Sequence, residues 1–563
     1  MPNHLIVVDE CEDFRWVDPS GLVITAEEYL RRGRGAPELP VVNLCREHGH
    51  LSSGYYVSLI AEARGAKALP DMRAVADLDH AEIRDECKAA LESLLARAPG
   101  LPGSSAAFSL HVYFGEPDQP VFKELAHRAF ELLRTPILRI DFEQATSINF
   151  GQATPINFEQ ATSWRIASLR VLAPQEVPQA HDAILLDGLE RLALRMNYRS
   201  QGKSRPVDGS ADDLAHPFGR APRRAPPSRF DLAVLVNPQD KIPPSKAKAL
   251  ARLADIGREL RVTVTLVEPR DYERLARFDA LFIRETTSVS DHTYLFARKA
   301  EQEGIPVLDD PASIIRCTNK VFLAELMRRG GVATPGTRFL TRHSLADIEK
   351  ERDFPLVVKI PDGSFSKGVE RAADQAQLRE IAEAMLRRSH VVIVQDFLHT
   401  EFDWRIGVLG GEPFFAARYF MCDRHWQILK HAPDGSYVEG VTEAVATGNV
   451  PHEVLDAALR AAHLVGDGLY GVDLKATSEG VFVMEVNDNP NIDVGLEDAV
   501  VGDELYRRLL LDFQRRIEAT RRRGSAKVIR FGRTSLADIE GRCETSATEF
   551  ALRQTTRRER PFK

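Results

Sequence analysis

The chain has 563 residues, 44% of them hydrophobic, enough for several globular domains that each bury a core of their own. The formal net charge of -8 is modest, and Lys and Arg are mixed with Asp and Glu except from Arg515 onward, where the chain runs basic; this leaves no nucleic-acid footprint. No run of about 18 apolar residues suggests a membrane span, and the start, MPNHLIVVDECEDF, has no targeting pattern. Cys11, Cys45, Cys87, Cys317, Cys422 and Cys543 form no CxxC pair, which argues against a zinc site or disulfide framework and for a reducing, cytoplasmic setting.

Residues 1–199 mix strand-like runs (Leu5 to Val8, Ser109 to Phe114, Ile137 to Phe142, Trp164 to Val171) with helical stretches (Ala81 to Leu95, Val121 to Leu133), an α/β module. Within it DFEQATSI, NFGQATPI and NFEQATSW repeat an eight-residue unit over 141–164. An even period keeps strand alternation, but Pro155 would break a central ladder, so an edge ribbon or loop from a duplication is expected. Residues 200–229, rich in Pro, Gly, Ser and Arg, read as a linker. Its Gly202, Lys203 and Ser204 echo a phosphate loop only in part, since the first glycine of that pattern falls on Asn197.

From 230 to 317 strands and helices alternate: Asp231 to Val236, Ser245 to Leu260, Val262 to Val267, Ala280 to Ile283, His292 to Glu303, Ile305 to Leu308. These lengths predict a small doubly wound parallel sheet. A larger α+β region follows over 318–517, and 518–563 form a basic tail.

The chemistry concentrates in GVDLKATSEGVFVMEVNDNP, from Gly471 to Pro490. Two apolar runs flank the turn residues Ser478, Glu479 and Gly480, and Glu479 lies midway between 473 and 485. A symmetric hairpin sets Asp473 opposite Glu485, with Asn487 two residues along on the same face. Two carboxylates so placed repel, and a divalent cation or a proton would neutralise them. All-oxygen ligation points to Mg²⁺ or Mn²⁺.

This hairpin, ending in MEVNDNPN, resembles the metal-binding end of the RimK-like ATP-grasp ligases, and the resemblance extends back through Phe230. It implies an α/β and α+β multidomain chain: an ATP-grasp fold preceded by a small doubly wound parallel sheet and an N-terminal α/β module. The phrase VVNLCREHGHLSSGYYVSLIAEARGAKALP, from Val41 to Pro70, resembles the module that precedes the ATP-grasp region in a subset of RimK-like proteins. Tyr55, Tyr56, Leu59 and Ile60, at helical spacing, read as core, and His48 and His50 as ordinary residues.

The resemblance implies ATP with Mg²⁺ or Mn²⁺ held by Asp473, Glu485 and Asn487. Lys320 in CTNKVFLAELMRRGGVATPGT and Lys359 in FPLVVKI face the phosphates, as a lysine among Leu356, Val357, Val358 and Ile360 needs an anionic partner. In PDGSFSKGV the glycines Gly363 and Gly368, with Ser364 and Lys367, form the phosphate loop, although Ser366 stands where another glycine is usual. VVIVQDFL sets Gln395, Asp396, Phe397 and Leu398 against the base, and Asp403, Arg405 and Arg418 belong to charged positions of the phosphate site, the two arginines in catalytic roles.

The implied reaction is a carboxylate attacking the γ-phosphate to give an acylphosphate, which an amine then converts to an amide. The substrates would be a small-molecule or peptide carboxylate and an amino acid, glutamate by analogy, with a protein acceptor left open; a homo-oligomer is expected, with no nucleic acid and no membrane as partner. The short basic loop that the glutamate-adding members carry is replaced after Arg418 by MCDRHWQILKHAPDGSYVEGVTE, with Arg424, His425, Trp426, Lys430 and His431 available to substrate, or with Trp426 simply core. A nucleotide-regulated binding protein and a small-molecule kinase on the same scaffold are the alternatives.

Overall fold

His4–Val8 is apolar after its first residue and buried at every position, as befits the centre of a parallel sheet. In the computed structural model it lies between Gly21–Thr25 and Val41–Asn43, with Ala68–Leu69 at the outer edge. The structure describes residues 4–17, 21–32, 39–95, 107–145, 163–200, 229–351, 353–363, 368–423, 425–431 and 437–533. The expected linker apart from residues 200 and 229, the middle of the octapeptide repeat (146–162) and the chain after 533 lie outside them.

Helix Ser53–Ala63 covers that sheet. The Ser52 side chain accepts from the Tyr55 amide at 3.2 Å and starts it. Tyr55, Tyr56, Leu59 and Ile60 are all buried, the core role their spacing predicts. The other strands of the module form an antiparallel sheet in the order Glu116–Pro117, Ala107–Tyr113, Ile137–Ala145, Ser163–Val171. The ends of the repeat thus continue two paired strands, Ile137–Ala145 and Ser163–Val171.

The alternation after residue 229 produces the expected parallel sheet. Phe230–Leu235 is flanked by Val262–Val267 and Ala280–Ile283, with Val307–Leu308 beyond the latter. Helix Ala247–Leu260 buries Ala249, Leu253 and Ile256 on one stripe. On the same core, the final helix Asp503–Arg533 lays Leu505, Leu509, Leu510, Phe513 and Ile517 beside Phe230, Leu232 and Val234.

Two larger antiparallel sheets follow, besides a two-stranded ribbon of Leu429–His431 and Tyr437–Glu439. One runs Thr337–Leu340, Val392–Asp396, Leu356–Lys359, Val369–Ala372, and the other Thr442–Val445, Glu412–Phe420, Phe402–Leu409, Leu469–Thr477, Gly480–Asn487. Both contribute walls to a cleft of about 510 Å³, whose remaining sides come from the parallel sheet's loops at 241–246 and 286–291. Among the described residues no helix is long and apolar enough to cross a membrane.

The N-terminal module is tied to the rest by polar contacts between largely buried groups. Tyr56 Oη lies 2.8 Å from Ser389 Oγ, and Arg64 donates to Glu325 at 3.0 Å. Arg298 makes a bidentate pair with Asp77, at 2.8 and 2.6 Å, and the Tyr294 hydroxyl donates to the same carboxylate at 2.9 Å. Arg298→Met strands the Asp77 carboxylate with only the tyrosine, so it is expected to lower unfolding free energy by about 3 kcal/mol. A denaturant melt reads this as a lower midpoint, and an unchanged midpoint contradicts the tie.

Candidate functional site

The hairpin Leu469–Thr477 and Gly480–Asn487 sets Asp473 opposite Glu485, as predicted, but not by simple symmetry. The turn closes on the pair Thr477 and Gly480, and a register shift beyond Leu474 restores the Asp473 and Glu485 pairing. Asn487, paired with Gly471, donates from Nδ2 to Asp473 Oδ2 at 3.2 Å.

The repulsion expected between the carboxylates is answered by cations of neighbouring elements. Arg405, on the adjoining strand Phe402–Leu409, grips Asp473 with Nε and Nη2 at 2.6 and 2.7 Å. Lys320, at the first turn of helix Lys320–Arg329, pairs with Glu485 at 2.8 Å and donates to the Gly363 carbonyl. Burial pushes the Asp473 carboxyl up even though Arg405 opposes it. Burial acts the same way on Glu485, but Lys320 and, further off, Lys359 outweigh it and hold the carboxyl below its usual range.

Lys359 occupies the fourth position of Leu356–Lys359 and donates to Gln395 Oε1 at 2.7 Å on the neighbouring strand. Burial is the largest influence on it; Glu485 favours its charge, while Lys320 and Lys475 disfavour it, and its pKa falls to about 8. Gln395 also donates to Thr337 Oγ1 at 3.0 Å. Asp396 pairs with Arg338 at 3.1 Å, and the Phe397 ring lies under the Arg371 guanidinium and 5.8 Å from Trp426.

Lys320, Lys359, Gly363, Gln395, Asp396, Phe397, Leu398, Asp403, Arg405, Asp473, Glu485 and Asn487 all line the one cleft. Trp426 lines it too, half-buried, so it is not simply core. Ser364, Lys367 and Arg424 lie outside the described residues, as do the side chains of Lys430 and His431.

Two assigned positions fall elsewhere. Gly368, with φ of 70°, packs against Ile360, and a Cβ there would come within 2.8 Å of its Cδ1, so it shapes the loop's return without lining the cleft. Arg418 is a correction. Strand pairing sets it beside Trp404 and Glu443, the face away from Arg405 and Asp473, because side chains alternate and Ala417 and Tyr419 take the cleft side. Its guanidinium rests over Phe402 and Trp404, at 5.4 and 5.5 Å, and reaches Glu443 at 3.6 Å. Arg418→Met is therefore expected to leave turnover within about threefold of wild type, since no preorganised charge at the cleft is removed. Steady-state ADP release checks it; a hundredfold loss would restore the catalytic assignment.

Three functional candidates escaped the sequence. Lys475 is buried on the same face as Asp473, ion-paired to Asp403 and donating to Thr400 Oγ1 at 2.7 Å; period-two alternation from Asp473 was a sufficient signal. Arg284, 1% exposed, donates to Ser245 Oγ at 3.0 and 2.8 Å, to the Pro490 carbonyl at 2.9 Å, and to Asn489 Oδ1 and the Pro244 carbonyl. It fixes the segment after Asn487, whose Asn489, Pro490 and Asn491 line the cleft. The third is His50, read as ordinary, whose Nε2 meets Asp362 beside the phosphate loop.

Oxygen donors on Asp473, Glu485 and Asn487 suit Mg²⁺, and Lys320, Lys359, Lys475 and Arg405, which line the same cleft, suit a polyanion such as a triphosphate.

Residues 317–501 match the family model of the RimK-like ATP-grasp domain, and residues 26–187 that of the RimK-like ATPgrasp N-terminal domain. A probable alpha-L-glutamate ligase of Syntrophotalea carbinolica is 28% identical over 242 residues, 42% of this chain and 77% of that protein. One from Aliivibrio fischeri is 26% identical over 256 residues, 44% of this chain and 80% of its own. Among solved structures, D-alanine–D-alanine ligase from Bacillus anthracis aligns with a TM-score of 0.40 and 16% identity, covering 53% of this chain and 99% of that one. A RimK domain ATP-grasp protein from Sphaerobacter thermophilus aligns with a TM-score of 0.34 and 19% identity, over 46% and 90%. With both of its matched regions drawn from one kind of protein and Lys320, Lys359, Arg405, Asp473, Glu485 and Asn487 all inside the second, the chain belongs to the RimK-like ATP-grasp ligase family.

Proposed function

We propose that the chain is an ATP-dependent carboxylate–amine ligase that joins an amino acid, glutamate or a close analogue, to a small or peptide carboxylate and releases ADP and phosphate. The observation that carries this reading is the facing pair Asp473 and Glu485, each held by a cation, in a cleft shared with Lys359 and Lys475. Glutamate as the amine rests on the relatives named probable alpha-L-glutamate ligases.

Lys320, Lys359 and Lys475 would hold phosphate oxygens, with the backbone of 396–398 along the base. Asp473, Glu485 and Asn487 would hold Mg²⁺, which would supply charge neutralisation at the transferring phosphoryl group. Arg405 opposes the effect of burial on Asp473 and aims its carboxylate, so it acts on the metal ligand before it acts on substrate. No side-chain nucleophile is needed, because the substrate carboxylate attacks and positioning with electrostatics carries the rate. We further propose the division into an N-terminal module (1–199), a linker (200–229), a pre-ATP-grasp domain (230–317), the ATP-grasp domain (318–517) and a basic tail (518–563).

The test is incubation with Mg²⁺-ATP, pooled amino acids and short peptides, following ADP, phosphate and new masses. An amide product with stoichiometric ADP and phosphate supports the ligase. A stable phosphorylated product would replace it with a kinase, and nucleotide binding without turnover with a regulated binding protein.

A further inference from the structure

The N-terminal module holds a second cluster of ligating side chains, outside the cleft. His111 lies on strand Ala107–Tyr113, Asp118 just after the short strand Glu116–Pro117, and His181 at the end of the 3-10 turn Gln179–His181. One donor atom from each falls within 4.8 Å of the other two. His111 Nδ1 is 3.0 Å and His181 Nε2 is 3.7 Å from the same oxygen, Asp118 Oδ2. We propose that these three residues bind a divalent transition-metal ion of the zinc class, independently of the ATP cleft.

The geometry supports a metal over a simple hydrogen-bonded triad in two ways. A tetrahedral zinc with bonds of about 2.0–2.2 Å sets its donors about 3.4 Å apart. The two distances to Oδ2 bracket that spacing, and at 3.7 Å the second imidazole is too far to hydrogen-bond the carboxylate it faces. The surroundings also hold the ligands in place from behind. Asp118 Oδ1 accepts from the His111 backbone amide at 3.0 Å, which turns Oδ2 toward the rings. His181 meets the Tyr113 hydroxyl at 2.7 Å through Nδ1, which leaves Nε2 directed at Asp118. Such outer partners fix the tautomer and orientation of metal-binding imidazoles.

The backbone is equally constrained, since the Asp118 amide donates to the His111 carbonyl at 2.9 Å across the tight connection between their strands. The neighbouring charges are engaged elsewhere: Asp182 with Arg15 at 2.6 Å, and Glu116 with Arg191 at 2.8 Å. Two imidazoles and one carboxylate are a borderline donor set that suits Zn²⁺ or Co²⁺ and disfavours the hard Mg²⁺ of the cleft. Binding would clamp the antiparallel sheet to the start of helix Asp182–Ser200, so metal and stability of the module are linked.

The full chain, stripped with a chelator and kept free of Mg²⁺ and nucleotide, is titrated with Co²⁺ and followed by its visible absorption, then back-titrated with Zn²⁺. The expected result is a single Co²⁺ equivalent displaced by Zn²⁺, retained in an Asp473→Asn/Glu485→Gln double variant and lost in Asp118→Asn and His181→Gln. Tyr113→Phe keeps all three ligands and is expected to weaken binding by about 10- to 100-fold, which reads the site even if a ligand variant fails to fold. No Co²⁺ binding, binding unchanged in Asp118→Asn, His181→Gln and Tyr113→Phe, or binding lost only in the Asp473/Glu485 variant would each overturn the assignment.

Discussion

Asp473→Asn and Glu485→Gln are each expected to lower turnover by about 10²-fold or more, the usual cost of removing one preorganised electrostatic element. The two variants should differ in everything else. Asp473 is the bidentate partner of Arg405, whose side chain is 15% exposed, so the amide leaves a buried guanidinium without its counterion. That costs up to about 3–5 kcal/mol of stability. Glu485, at 30%, is more exposed than Asp473, at 13%, and Lys320, itself 13% exposed, keeps the Gly363 carbonyl when the carboxylate is gone. Glu485→Gln should therefore lose turnover with a smaller fall in denaturation midpoint than Asp473→Asn, and its apparent affinity for Mg²⁺ should fall. Near-normal ADP formation by both variants would sink the metal assignment. Loss of turnover in Asp473→Asn alone, together with a lower midpoint, would show that Arg405 and Asp473 form a structural pair and nothing more.

The facing carboxylates were legible because a strand has a period of two and the turn residues at 478–480 fix where the chain reverses. A register shift that cancels the offset of the turn kept that reading correct. The parallel sheet was legible for a related reason, since buried strands such as Phe230–Leu235 are apolar at every position but Asp231. Arg418 was misplaced because its side of the sheet depends on pairing between distant strands, and nothing local distinguishes it from the inward Tyr419. What neutralises the carboxylates was also out of reach. Arg405 lies 68 residues from Asp473, and Lys320 reaches Glu485 from a still more distant element. The clusters at His50 with Asp362 and at His111, Asp118 and His181 have the same character, because they combine ordinary residues brought together only by tertiary packing.

Lys359→Met is expected to reduce kcat/KM for ATP by about 10²–10³-fold, and its pH behaviour separates a phosphate ligand from a structural lysine. With its pKa at about 8 in the free protein, Lys359 is increasingly neutral as pH rises above that value. Nucleotide phosphates beside it favour the ammonium, so above pH 8 binding must be accompanied by proton uptake. ATP affinity of the wild type should accordingly fall toward about tenfold per pH unit above 8, a slope that Lys359→Met lacks. Calorimetry at pH 8.5 in buffers of different ionisation enthalpy reads the proton directly. Stability of the free protein carries the opposite sign. The folded pKa lies below the unfolded value of 10.5, so the unfolded chain binds the extra proton between about 8 and 10.5 and wild-type stability rises with pH across that window. Lys359→Met should be the more stable protein at pH 7, and the difference should shrink as pH climbs through the window. Equal proton uptake by both proteins, with parallel stability profiles, would place the Lys359 ammonium away from the phosphates.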